Sequence, residues 1–220
     1  MTGSPTPRSA GARQAAPIAV AVFAFGASFG LLAGAAGIGT LASLVMSATT
    51  FAGSAQFAAV SVLGGAGSVA AACTAAILLN ARYLPIGISV APAIEGGPLR
   101  RLVLAQLVVD ESWAMSRRPG GGHDAGLLLG AGALLYACWV AGTAVGAFGG
   151  EALGEPETLG LDAAFPALFL ALLVPQVRTR RALYAALLGG AVAFALILFA
   201  SPGIPIVAAS AACLVGWRKA

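Results

Sequence analysis

The chain has 220 residues, 59% of them hydrophobic and only 9% charged, where soluble domains carry about a quarter charged. Such a chain cannot cover its own surface with polar groups, which excludes an ordinary soluble domain and makes lipid the expected solvent. Twelve Lys and Arg against eight Asp and Glu give a net charge of +4, but the basic residues are scattered; that excludes a nucleic-acid surface and leaves them as markers of membrane topology.

Residues 1–16, with Arg8 and Arg13, read as a disordered cytoplasmic tail. The apolar run that follows is too long for the core of a secretory signal and reads as a retained membrane segment. A spanning helix needs about 20 apolar residues. On that measure the candidate segments are 17–36, 39–63, 68–94, 102–116, 125–149, 163–177, 182–200 and 204–217, with 218–220 as a cytoplasmic end. Several are short, which points to tilted, broken or re-entrant pieces. The expected fold is therefore an all-α polytopic membrane protein with one membrane domain over 17–217 and seven or eight transmembrane segments.

Basic residues orient these segments. Arg8, Arg13, Arg117, Arg118, Arg178, Arg180, Arg181, Arg218 and Lys219 place both termini and two loops in the cytoplasm. Glu151, Glu155, Glu157 and Asp162 suit an outside loop. Eight spans leave one conflict: Arg100 and Arg101 then fall outside, unless 68–94 or 102–116 does not cross fully.

Gly26, Gly30 and Gly34 form a ladder of spacing four, as do Gly142, Gly146 and Gly150. Such ladders let helix backbones approach closely in a membrane. "FAGSAQF" from Phe51 and "FPALF" from Phe165 stand at nearly the same offset as the ladders, which suggests a two-fold internal repeat with halves 17–116 and 125–217, as many secondary transporters have. Coincidence in a glycine-rich chain explains the match equally well.

Polar groups at membrane depth are costly and are seldom without a role or a partner. Three places hold them. In "LLNARYLP", Pro85 cannot donate to the Ala81 carbonyl, so a break here would let Asn80 and Arg82 point into one site; alternatively Arg82 ends a span and snorkels to the interface. In "AQLVVDESWAM", Gln106, Asp110 and Trp113 share a helix face and Glu111 lies close by. Adjacent carboxylates between Val109 and Trp113 suit proton coupling, with Arg82 as the natural countercharge; alternatively they are the polar end of a short segment beside Arg117 and Arg118. Ser43, Ser47, Thr50 and Ser54 form one stripe, and a helix that loosens at Gly53 would offer Ser54, Gln56 and backbone groups to a substrate. The plainer alternative is hydroxyls bonded to their own helix, with Gln56 as interhelical glue.

His123, the only histidine, sits in a glycine-rich loop and reads as solvated. No HExxH, no Cys/His cluster and no P-loop occur, so no cofactor, metal or nucleotide is expected and an enzyme is not. Cys73, Cys138 and Cys213 read as buried, inert thiols.

"MSATTFAGSAQFAAVSVL", "LLNARYLPIGISVAP", "VVDESWAM" and "LDAAFPALFLALLVPQ" occur in that order. Together they resemble the AzlC family, the large subunit of two-component branched-chain amino acid exporters, over nearly the whole chain. Tyr83 stands where the family often has His, and Val109 where it often has Thr. The resemblance implies export of leucine, isoleucine, valine and methionine across a bacterial inner membrane, with a small hydrophobic AzlD-type subunit. Without a nucleotide motif, a proton gradient or the membrane potential is the expected drive. A zwitterion needs donors for its carboxylate, from Arg82 and Asn80 with Ser54, Gln56 and Tyr83 beside them, and acceptors for its ammonium, from Asp110 or Glu111. The competing reading is a passive channel for small polar solutes, lined by the Ser/Thr stripe.

Overall fold

The computed structural model describes residues 6–153, 170, 173–174, 177–200 and 204–213. Helix α1 (Pro7–Ala35) is capped by Thr6 and begins ten residues ahead of the expected span at 17, with Gly11 and Ala15 already buried. After α1 come α2 (Thr40–Thr50), α3 (Gly53–Gly64), α4 (Val69–Asn80), α5 (Tyr83–Val90), α6 (Pro98–Ala105), α7 (Asp110–Met115) and α8 (Ala125–Leu153). The chain then continues through α9 (Arg180–Ile197) and α10 (Ile204–Ser210).

The core is the pair α1 and α8, and the glycine ladders make it. A side chain on Gly26 would meet the backbone of Trp139 and Thr143, one on Gly30 that of Thr143 and Ala147, and ones on Gly142 and Gly146 that of Phe23 and Ala27. Backbone-to-backbone packing of this closeness is available only where Cβ is absent. The register rises together on both helices, from Gly11 against Leu127 to Gly150 against Leu31, so α1 and α8 run parallel. Mutual packing accounts for Gly26, Gly30, Gly142 and Gly146 of the ladders, while Gly34 faces open space; the internal repeat is not confirmed, and its counterpart phrase at Phe165 lies outside the described residues.

Parallel α1 and α8 require an odd number of crossings between them, and the intervening contacts show how that is met. From the face where α1 ends, α2 descends along α8: Thr40 Oγ1 donates to the Ala147 carbonyl at 3.4 Å, and Tyr136 donates to the Ala48 carbonyl at 2.8 Å. At Phe51 the backbone turns left-handed (φ 39°). Helix α3 then climbs beside α1, with Phe57 edge-on to Phe29 and Gly64 returning to Ala36. The expected span 39–63 is thus a hairpin that leaves by the face it entered. Gln56 fixes its tip. The side-chain oxygen of Gln56 accepts from Ala52 N–H at 3.1 Å; its amide donates to Ser47 Oγ, which is 2.8 Å from Thr143 Oγ1 on α8. These bonds satisfy groups a broken helix would otherwise strand in an apolar interior.

Helix α4 packs Ala72 and Ala75 against Ala58, Ala59 and Val62 of α3 and runs back across the molecule. It bends by 43° before α5, which reaches the opposite face, where Val90 and Ile94 meet Leu128 near the start of α8. The Ala81 carbonyl that Pro85 cannot serve accepts instead from Leu84 N–H at 3.1 Å. From that face α6 rises, the chain turns at 106–109, and α7 descends to the loop before α8. The turn is held by Ser112, whose hydroxyl accepts from Val109 N–H and bonds to the Leu107 carbonyl at 2.9 Å. The expected segment 102–116 is therefore a second hairpin, opposed to the first, and Gln106 Nε2 joins the two tips through the Ala48 carbonyl at 3.2 Å.

The expected seven or eight spans are not confirmed among the described residues, where 39–63 and 102–116 turn back as hairpins. Among the described residues, α1, α8 and α9 are long and apolar enough to cross a membrane, and the bent pair α4–α5 makes a fourth. Residues 163–169 and 214–217 of the last candidates lie outside the described residues. A belt of exposed apolar side chains, among them Val20, Leu41, Ile77, Ile88 and Phe148, suits contact with lipid tails. Cys73 lies exposed on α4 rather than buried.

The hairpins also remove the conflict over Arg100 and Arg101. They stand in the first turn of α6, with Arg100 beside Arg8 and Gly126 and Arg101 donating to the Ala91 carbonyl, on the face that carries Arg117 and Arg118. Single cysteines at Arg8, Arg100 and Arg117, in a background without the native thiols, should all be labelled by an impermeant reagent from one side of the membrane, and Gly65→Cys from the other. Labelling of Arg100→Cys from the Gly65 side would refute the hairpins.

Candidate functional site

Broken helices place charges where hydropathy alone would forbid them. Arg82 lies in the two-residue break between α4 and α5, and Asp110 opens α7 just past the second hairpin tip. Arg82 Nη1 meets Asp110 Oδ2 at 3.0 Å, and Nη2 donates to Ser54 Oγ at 3.0 Å in the first turn of α3. The guanidinium carbon sits 5.3 Å from the Tyr83 ring centre. Ser54 adjoins Gly53, which packs on the ring of Trp139, the middle residue of α8. The ion pair is thus near mid-depth of the long helices, and Arg82 does not end a span at the interface.

A cavity of about 140 Å³ opens beside the pair. Its polar wall holds Ser54, Arg82, Tyr83, Asp110 and Glu111; its apolar wall holds Ile18, Val22, Phe25, Phe51, Phe57, Leu135 and Trp139. Asp110 and Arg82 line it and are each 37% exposed, so both charges are accessible to a small solute. Glu111 makes no ion pair among the described residues. The arrangement offers one cation, two carboxylates and a dry aromatic wall, which are the complements of a small amphoteric molecule with an aliphatic tail.

A larger cavity, of about 490 Å³, lies on the other side of Phe51 and Tyr83, which line both. It runs from Asn80 and Gln106 toward Pro98 and Arg101 at the arginine-bearing face. Five of the seven expected site residues, Ser54, Arg82, Tyr83, Asp110 and Glu111, therefore share the smaller cavity. Asn80 faces the larger one. Gln56 lines neither: it is fully buried and its amide is spent on the hairpin tip. Gln106 and Asp110 do not share a helix face, because the turn at 106–109 separates them.

The Ser/Thr stripe is interrupted at Phe51 and Ala52. Ser43 bonds to its own helix at the Gly39 carbonyl, and Ser47 is held by Gln56 and Thr143; both are fully buried. Trp139 is the residue that sequence reasoning missed. Tyr136, Trp139 and Thr143 stand at i, i+3 and i+7 of α8, a polar-tipped face in an otherwise apolar run, and that spacing was the available signal.

At the arginine-bearing face, His123 Nδ1 lies 2.9 Å from Ser116 Oγ and its ring tilts against Trp113. The expected solvated histidine is thus a partly buried loop strut. Burial and the neighbouring Arg117 lower its pKa, which keeps the imidazole neutral near pH 7. No group of three or more His, Cys, Asp and Glu that could hold a metal occurs among the described residues.

Long parallel helices, opposed hairpins and a charged cavity at mid-depth define a polytopic helical membrane protein of the transport class. Relatives make the class specific. A family model described as AzlC protein matches residues 17–153, and the chain belongs to that family of transport proteins. It is 30% identical to the branched-chain amino acid transport protein AzlC of Bacillus subtilis (strain 168), over 85% of this chain and 76% of the relative. It is 32% identical to an uncharacterized membrane protein of Archaeoglobus fulgidus, over 91% and 90% of the two chains. With the inner membrane protein YgaZ of Escherichia coli (strain K12) it shares 26% identity over 100% and 95%. No solved structure matches.

Proposed function

We propose that the chain exports branched-chain amino acids (leucine, isoleucine, valine and methionine-like side chains) from the cytoplasm through the cavity at Arg82 and Asp110. The observation that carries this reading is the Arg82–Asp110 pair at mid-depth, 3.0 Å apart and open to an aromatic pocket. An amino acid lies antiparallel to that pair, its carboxylate toward Arg82 and Ser54 and its ammonium toward Asp110 and Glu111, with Tyr83 beside them. Its side chain enters the pocket of Phe25, Phe51 and Phe57, where burial of each methylene adds about 0.8 kcal/mol. The Bacillus relative's name supports the substrate class.

Arg8, Arg13, Arg100, Arg101, Arg117 and Arg118 on one face favour that face as cytoplasmic, with the N-terminus there. The protein then sits in the cell's inner membrane and the larger cavity opens inward. Resemblance to two-component exporters supports a small hydrophobic AzlD-type subunit. Glu111, unpaired beside a paired Asp110, is the proton carrier. A passive channel is less favoured, since Ser43 and Ser47 are spent within the structure.

Purified chain in proteoliposomes, with and without the small subunit, should accelerate uptake of labelled valine when unlabelled leucine is loaded inside. A pore would give no such counterflow. Glu111→Gln should lose the stimulation of exchange by an imposed pH gradient. Unchanged stimulation in that variant would remove Glu111 from the coupling.

A further inference from the structure

Two buried donors among the residues lining the smaller cavity have no acceptor. Arg82 spends Nη1 on Asp110 and Nη2 on Ser54, and its Nε–H is unpartnered. Trp139 is 4% exposed, and its indole Nε1–H is unpartnered too. Both residues flank the same stretch of backbone. Arg82 bonds Ser54, and the Trp139 ring stands 3.1 Å from where a Cβ on Gly53 would lie. Native interiors leave few buried N–H groups unmade, because each forfeits its bond to water without replacement.

Packing alone does not account for an indole here. Trp139 stacks on Phe29 with centroids 5.9 Å apart and meets Phe57 edge-on at 6.2 Å; phenylalanine could do both without stranding a donor. The unmet demand is for an acceptor, and the same cavity carries a surplus of acceptors at Asp110 and Glu111. A ligand that answers both has an anionic end for the donors and a cationic end for the carboxylates.

We infer that Trp139 is a substrate-binding residue, whose Nε1–H, with Nε–H of Arg82, receives the carboxylate of an α-amino acid. This assignment rests on the proposed transport function and deepens it. It makes the site selective for amino acids over amines of the same shape, since charge-assisted donors favour a carboxylate over a neutral oxygen.

The test compares leucine with leucinol, which keeps the ammonium and the side chain and replaces the carboxylate by a neutral alcohol. Binding is measured on the purified full chain. The wild type should prefer leucine. Trp139→Phe, which keeps the ring, should weaken leucine about tenfold and leave leucinol unchanged. Arg82→Lys, which keeps the charge but lacks Nε–H, should also lose preference for leucine. Should Trp139→Phe fail to fold, the emission of Trp139 itself, in a Trp113→Phe/Trp217→Phe background, should shift with leucine and not with leucinol. Equal weakening of both ligands, an unchanged preference, or an emission that responds to both alike would return Trp139 to a packing role while leaving the transport reading intact. A wild type that binds neither ligand would overturn the transport reading, and the assignment with it.

Discussion

Arg82→Ala is expected to abolish amino acid transport and to destabilise the protein by about 3 kcal/mol. That is the lower end of the range for removing one partner of a buried pair, because both side chains are 37% exposed and exposure weakens an ion pair. The loss has two sources. Asp110 keeps its charge at mid-depth without a counterion, and Ser54 loses the donor that ties α3 to the break after α4. Removing the stranded charge should undo the first and not the second, so Arg82→Ala/Asp110→Asn should be more stable than Arg82→Ala alone. Groups in direct contact are expected to couple in this non-additive way. Transport should stay absent in the double variant, since the cation proposed to meet the carboxylate is gone. Thermal unfolding in detergent reads the stability, and uptake into proteoliposomes reads the function. Equal stability of the single and double variants would mean that the stranded Asp110 charge costs the fold nothing.

The second large effect concerns the glycine ladders. Gly30→Ala should destabilise by about 2 kcal/mol, within the usual range for overpacking, because a Cβ there meets the backbone of Thr143, Gly146 and Ala147, none of which can swing aside as a side chain can. Gly34→Ala, one turn further along the same helix, has nothing within 4 Å of the added carbon. It should be neutral or stabilising by up to about 1 kcal/mol from helix propensity alone. The two substitutions share chemistry and helix and differ only in what faces them, so the contrast isolates the α1–α8 contact. Unfolding midpoints of the two variants that agree would contradict the close parallel packing.

Much of this was legible in the chain. The apolar composition and the long run from 125 dictate helices in lipid, and α8 extends only a turn beyond the expected 149. Arg82 and Asp110, far apart in sequence, were legible as a pair because a lone charge at depth demands a counterion. The hairpins were not, for a physical reason. Hydropathy registers how apolar 39–63 is and not which way it turns, and the turn depends on the left-handed Phe51 and on bonds from Gln56 to Ala52 and Ser47 that exist only once the tip is packed against Thr143. Arg100 and Arg101 carried the one sequence signal, as charges on the wrong side of an eight-span chain. Gln56 was legible as polar at depth, but its role as glue and its role as ligand look alike until its partners are seen. Trp139 was hidden for the opposite reason: a tryptophan in an apolar run reads as packing, and its stranded donor appears only when the neighbours are in place.

In the proposed function an amino acid rests against Arg82 and Asp110 within the membrane. Titration of purified wild type, Arg82→Ala/Asp110→Asn and Gly34→Ala with labelled valine tests it most directly. Saturable binding in the wild type and in Gly34→Ala, lost in the double variant that remains folded, is the predicted result; binding of valine by the folded double variant with unchanged affinity would contradict it.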